Sequence, residues 1–182
     1  MRIILFSIVV LLLFSCEKKE AASTAKKYFS LDEWITAKSN EWKSANLQSQ
    51  KTVYLNGSTD TITSTSSSVD WNNELQAFKR FDINQPAFSS SYEIISGQMG
   101  GEDVLMYKAA DNDLTVQRFR IFHRFDPPRL RLEIEAKTKT LLHTTTIEFF
   151  MDSTGYTYRE FTKPRWWGDD NTLIIERKNL QP

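Results

Sequence analysis

The chain has 182 residues, and its 23 Lys+Arg balance 23 Asp+Glu, so the formal charge is zero. That balance excludes the electrostatic pull on which nucleic-acid binders and anionic-surface binders rely. Aromatic residues make up 13% of the chain and cysteine occurs once, so the core is built by packing and not by disulfides.

Residues 1–16, MRIILFSIVVLLLFSC, place Arg2 before an apolar run from Ile3 to Leu13 that only Ser7 interrupts, followed by Phe14, Ser15 and Cys16. A short cationic start, a short apolar run and a small residue before the cut are the design of a secretory signal. A membrane span needs about 20 apolar residues, and the charged Glu17, Lys18, Lys19 and Glu20 arrive too early for one. Leu13-Phe14-Ser15-Cys16 resembles the lipobox of bacterial lipoproteins, with Phe14 larger than is usual at its position. The resemblance covers the first sixteen residues only. It implies that residues 1–15 are a cleaved signal peptide and that the mature chain starts at Cys16, carrying palmitate-type acyl chains. It also implies residence in the bacterial cell envelope, anchored at the outer membrane, with the periplasmic and surface faces both open. A cleaved secretory signal with an incidental cysteine is the alternative. Each buried CH₂ contributes about 0.8 kcal/mol and two chains suffice for stable anchoring, so the membrane would be a partner through Cys16 alone. Cleavage removes one cation, Arg2, and no acid.

Residues 16–27 form a lipidated tether in this reading: EKKEAASTAKK is small and charged, without apolar period. Residues 28–182 form one domain. Ser30 and Glu33 have capping-box spacing. Leu31, Trp34, Ile35, Lys38, Trp42 and Ala45 then recur at helical intervals, predicting a helix from Leu31 to about Gln48. Asn56-Gly57 between Lys51–Leu55 and Ser58–Thr63 predicts a hairpin with a type I′ turn, its second strand polar enough for a sheet edge. A second helix is expected over Val69–Asp82, with Trp71, Leu75, Phe78 and Phe81 on one side.

From Tyr92 onward strands are expected: Ser91–Ser96 and Val104–Ala109 about a glycine-containing loop, Leu114–Phe125, Arg129–Lys139, Leu141–Met151, Tyr156–Lys163 and Thr172–Lys178. Asp126-Pro127-Pro128 forces a turn. Arg129–Lys139 alternates without error, which predicts one buried and one wet face. The sum is an α+β fold in which two helices from the N-terminal half pack on a curved, mainly antiparallel meander of about eight strands. An open half-barrel or cone, similar to NTF2-like and envelope lipid-carrier shapes, is one arrangement. A closed lipocalin-like barrel with the helices outside is the other. Asp70–Pro86 is similar to segments of uncharacterised small envelope lipoproteins, a resemblance that carries no residue roles.

Catalytic signatures are absent from the sequence. His123 and His143, with Glu148, make a metal or acid/base site only if the sheet gathers them, and their spacing does not favour it. Gly97, Gly100 and Gly101 lack the Lys-Ser/Thr of a phosphate loop. No cofactor and no metal are expected. Arg118, Arg120, Arg124, Arg129 and Arg131 read as a solvated sheet face balanced by Glu133 and Glu135. Trp34, Trp42 and Trp71 are candidates for anchoring the helices or lining a ligand site. Neighbouring side chains on a strand point to opposite faces, so of Trp166-Trp167 beside Arg165 one indole is expected in the core and the other outside or at a cavity rim. The expected function is a membrane-anchored, non-catalytic binding module for an apolar or amphipathic ligand. Alternatives are an accessory component docking another envelope protein through exposed sheet and Trp166/Trp167, and a cryptic enzyme using His123 and His143.

Overall fold

A computed structural model describes residues 27–125 and 128–180. Cys16, the signal peptide, most of the tether and the turn residues Asp126 and Pro127 lie outside the described residues.

Helix α1 (Leu31–Ala45) begins where Ser30 Oγ accepts the Glu33 N–H at 3.4 Å. It ends about three residues earlier than the periodicity suggests, because Asn46 turns into the left-handed region at φ 50° and closes the last turn. Leu31, Ile35 and Trp42 are buried, together with Ser39, whose hydroxyl returns to the Ile35 carbonyl. Strands β1 (Gln48–Leu55) and β2 (Ser58–Thr65) follow, joined by Asn56 and Gly57, both with positive φ as a type I′ turn requires.

The second helical stretch is two pieces. Asp70 caps α2 (Trp71–Gln76), and a 3₁₀ helix, Ala77–Phe81, continues from it. Trp71 and Leu75 are four apart, but Leu75, Phe78 and Phe81 are three apart. The three-residue turn therefore keeps both phenylalanines on the buried side.

The other strands are β3 (Tyr92–Met99), β4 (Glu102–Ala109), β5 (Val116–Phe125), β6 (Pro128–Lys139), β7 (His143–Met151), β8 (Gly155–Pro164) and β9 (Asn171–Leu180). Gly97 is inside β3, and the expected glycine loop shrinks to Gly100-Gly101, both at positive φ. All neighbours are antiparallel, in the order β2-β1-β9-β8-β7-β6-β5-β4-β3. Nine strands form, one at each of the stretches expected from the sequence, in line with a meander of about eight. Strands β2 and β3 are the two edges, so the sheet is open and the closed-barrel arrangement is not adopted.

The helices cover one face. On it Trp42 and Trp71 meet at 4.9 Å between ring centroids, and Phe78 stacks on Phe149 at 4.4 Å. Both indoles are satisfied: Trp42 donates to the Ser153 carbonyl and Trp71 to the Ser66 carbonyl. At ~25 cal/mol per Å² and ~150–250 Å² per ring, each such aromatic stabilises the fold by up to about 4–6 kcal/mol before entropy is counted. The other face carries the ion pairs expected of it. Arg118 and Arg120 meet Glu135, Arg120 also meets Glu133, and Arg131 joins Glu133 and Glu102. Phe122 is buried on this face beneath the Arg131 guanidinium, 3.9 Å above its ring.

One polar cluster lies under α2. Glu74 accepts from Lys51 Nζ at 2.8 Å, sits 3.3 Å from Arg177 Nε and takes the Tyr156 hydroxyl hydrogen. Burial pushes the Glu74 carboxyl upward, but its hydrogen bonds from Lys51 and Tyr156 and the charges of Lys51 and Arg177 outweigh that and hold it below its ordinary value.

Candidate functional site

Between the 3₁₀ segments and the sheet lies a cleft of about 470 Å³. Its floor is the helix-covered face of the strands near the β4–β5 and β6–β7 turns: Val116 of β5, Thr138 of β6, Thr145 and Ile147 of β7, and Glu160 of β8. Its other side is the segment 80–92. Pro86 opens a 3₁₀ turn, Pro86–Phe88, that brings Phe88 edge-on to Tyr92 at 6.3 Å. Asn84 fixes this segment by tying it to Tyr28 and Phe29, just ahead of α1. It accepts the Tyr28 N–H at 3.0 Å and donates to the carbonyls of Tyr28 and Phe29.

The cleft is polar at one end and apolar at the other. At the β8 end Arg80 donates to the Tyr158 hydroxyl at 3.0 Å, and that hydroxyl in turn donates to Glu160. Burial, and then the bond to Glu160, pushes the Tyr158 phenol well above its ordinary value, so it remains a proton donor at every ordinary pH. At the other end Phe88, Tyr92 and Val116 form apolar wall. Burial, with the Tyr28 phenol adding to it, pushes the Tyr92 phenol up to about 12. A charged end and an apolar end within one cleft suit an amphipathic molecule lying across the strands. A second, more open cleft of about 630 Å³ lies toward the opposite end of the sheet, where Phe29, Leu105, Ile121 and Leu130 meet Asp103 and His123.

The sequence-predicted residues fall in three places. Trp42 and Trp71 are fully engaged in the core, with no ring face open to a ligand. Trp34 is half-buried beside them on α1, with Lys38 Nζ 5.9 Å from its ring centroid. Trp166, Trp167 and Arg165 lie in the β8–β9 turn. The expectation of one buried and one exposed indole is therefore overturned. Alternation applies to strands, and β8 ends at Pro164, so Trp166 and Trp167 are both exposed, at 74% and 84%.

These indoles have apolar neighbours. Leu141 and Leu142, 84% and 68% exposed, form the adjacent β6–β7 turn. The two turns are tied together: Arg165 N–H donates to the Leu142 carbonyl at 2.9 Å, and Trp166 Nε1–H to the Leu141 carbonyl at 3.3 Å. Thr140 Oγ1 accepts the N–H groups of Leu142 and His143, which sets the first turn.

The histidines are not brought together. His123 pairs in register with Leu130 of β6, whereas His143 begins β7 beside the far end of β6. Ten residues of strand separate those levels, ~33 Å at ~3.3 Å per residue. Glu148 is on the other face, paired with Arg159. Among the described residues no three His, Cys, Asp or Glu side chains are grouped to hold a metal ion.

No family model, curated protein or solved structure matches the chain.

The cleft residues escaped sequence reasoning because the run 80–92 supplies only one wall, and the floor is assembled from one or two side chains each of β5, β6, β7 and β8 or their entry. The only local signal was the break from four-residue to three-residue spacing around Phe78, which marks where the helix gives way and Arg80 turns toward the sheet.

Proposed function

We propose that the chain is a lipid-anchored envelope protein whose domain binds an apolar or amphipathic ligand without catalysis, and that the ligand occupies the cleft between Arg80 and Phe88. The observation that carries this reading is the cleft's division into a charged end, Arg80 and Glu160, and an apolar end, Phe88, Tyr92 and Val116. Its volume is within the range of about 300–1,000 Å³ that small-molecule sites occupy. The distance between His123 and His143 supports the non-catalytic part. The anchor rests on the lipobox-like Leu13–Cys16.

A fluorescent polyene fatty acid tests the cleft. Thr138 is exposed at the cleft floor, so Thr138→Trp fills the space without altering the core. The expected result is saturable binding to the wild-type chain and at least about tenfold weaker binding to the variant, ~1.4 kcal/mol, with the same far-ultraviolet circular dichroism. Equal binding by both chains, or no binding by either, refutes the assignment.

A further inference from the structure

We propose that the paired turns bearing Leu141, Leu142, Trp166 and Trp167 are a membrane-facing surface, bedded in the interfacial region of a phospholipid bilayer. This rests on the anchoring of Cys16 and adds to it an orientation of the domain.

Four large apolar side chains, each at least two-thirds exposed, stand on turns, where polar residues and glycine normally serve. Together they present on the order of 500 Å² of apolar surface, at the size of the largest patches on soluble monomers. The hydrogen bonds from Arg165 and Trp166 to the Leu142 and Leu141 carbonyls hold the two turns as one body, so little ordering is left to be done on docking. Tryptophan is the residue that concentrates at bilayer interfaces, its ring in the acyl boundary and its N–H toward the headgroups. Lys139 and Lys163, which both pair with Thr144 at the strand ends beside these turns, and Arg165 in the β8–β9 turn put long cationic side chains within reach of headgroup phosphates, and Asp169 and Asp170 share that turn.

The point where the chain joins the fold argues for a bilayer over a protein as the occupant. Lys27 Nζ bonds the Ser89 carbonyl and Tyr28 is held by Asn84, Phe88 and Ser89, just before β3 starts. Strand β3 starts at the end of the sheet that carries the β4–β5, β6–β7 and β8–β9 turns. Cys16 precedes Lys27 by eleven positions, a reach of at most ~40 Å. Strands lie ~4.8 Å apart, so the five steps from β3 to β8 span only ~24 Å. Acyl chains on Cys16 and the apolar turns therefore meet the same bilayer plane without strain.

The test uses the full mature chain, purified from membranes and reconstituted in vesicles of dioleoyl phosphatidylcholine and phosphatidylglycerol, with plain or dibrominated acyl chains. Bromine quenches tryptophan only at contact range. Wild-type emission is expected to fall in brominated vesicles, by a share attributable to two of the five tryptophans. In the Trp166→Phe/Trp167→Phe chain that quenching falls to at most what the half-buried Trp34 contributes, because Trp42 and Trp71 are buried in the core. Equal wild-type emission in plain and brominated vesicles overturns the proposal. So does the double variant losing a co-purified envelope protein while wild-type emission stays unquenched, which would assign the surface to a protein. Vesicle flotation and intact mass read the anchor separately. A chain that carries acyl chains and floats but is unquenched keeps the anchor and loses this surface. A chain without acyl chains that neither floats nor is quenched loses both.

Discussion

Replacing Glu74 by alanine removes the one carboxylate that Lys51, Tyr156 and Arg177 share beneath α2. The Arg177 side chain is only 7% exposed and lies 5.2 Å from the Trp71 ring centroid, so it cannot turn to water once Glu74 is gone. Breaking a buried pair on one side costs about 3–5 kcal/mol. Lys51 is 24% exposed and can relax outward, which places the expected loss near the low end, ~3 kcal/mol. For a chain of this size that is a fall in Tm of ~6–12 °C. Urea unfolding followed by tryptophan fluorescence at pH 7 measures it, and a cycle with Arg177→Met measures the coupling, since the double variant leaves no charge stranded at the Arg177 position. The Glu74 carboxyl is held below its ordinary 4.5 in the fold, so its contribution is complete above that pH and lost as pH falls through the lower, folded value. Glu74→Gln therefore flattens the stability profile below pH 4.5 relative to wild type. A loss under about 1 kcal/mol for Glu74→Ala, or strict additivity with Arg177→Met, refutes the argument.

Other substitutions probe separate parts of the fold. A Cβ on Gly155 would lie 2.0 Å from the Arg177 carbonyl oxygen, so Gly155→Ala forces β8 and β9 apart; a loss of ~2–3 kcal/mol in denaturant titration is expected, and unchanged stability would contradict the close approach. Asn46→Gly keeps the left-handed helix end and is expected within a few tenths of wild type, whereas Asn46→Val loses ~1–2 kcal/mol, both read from urea midpoints. Arg131→Ala uncovers Phe122 and should cost ~1 kcal/mol, much of which survives in high salt because ring coverage is not screened; a loss abolished by salt would assign it to ion pairing alone.

The parts legible in the sequence were those written in local periods. The alternation of β6 separates its two faces, with Leu132, Ile134 and Ala136 in the core, although Glu133 on the ion-pair face is buried too and Thr138 on the core face is exposed, and Asn56-Gly57 marks its turn, because each pattern is imposed by neighbouring backbone geometry. The pairing of β1 with β9 had no such trace, since register between distant strands is settled by which faces complement each other after folding. Arg177 shows why. Read alone it is a charged residue late in a strand, and only Glu74, Ser49 and Tyr156, all far from it in sequence, make that position a buried one. Trp166 and Trp167 were misplaced for the opposite reason: a strand rule was extended past Pro164, where the strand had stopped. The candidate cleft was the least legible part, being an interval between elements and not a property of any one of them.

The sheet order has a kinetic corollary. Strand β1 is flanked by β2 and by β9, and Gln48 lies opposite Leu180, so the first hairpin waits for the last strand before its second edge is satisfied. Joining sites so far apart in sequence is slow, because the loop between them must close before any pairing offsets that entropy. During synthesis α1 and the first hairpin thus emerge long before their permanent neighbour exists. The hydroxyl-rich β2, poor in apolar side chains, keeps that waiting hairpin soluble and unattractive to other exposed strands.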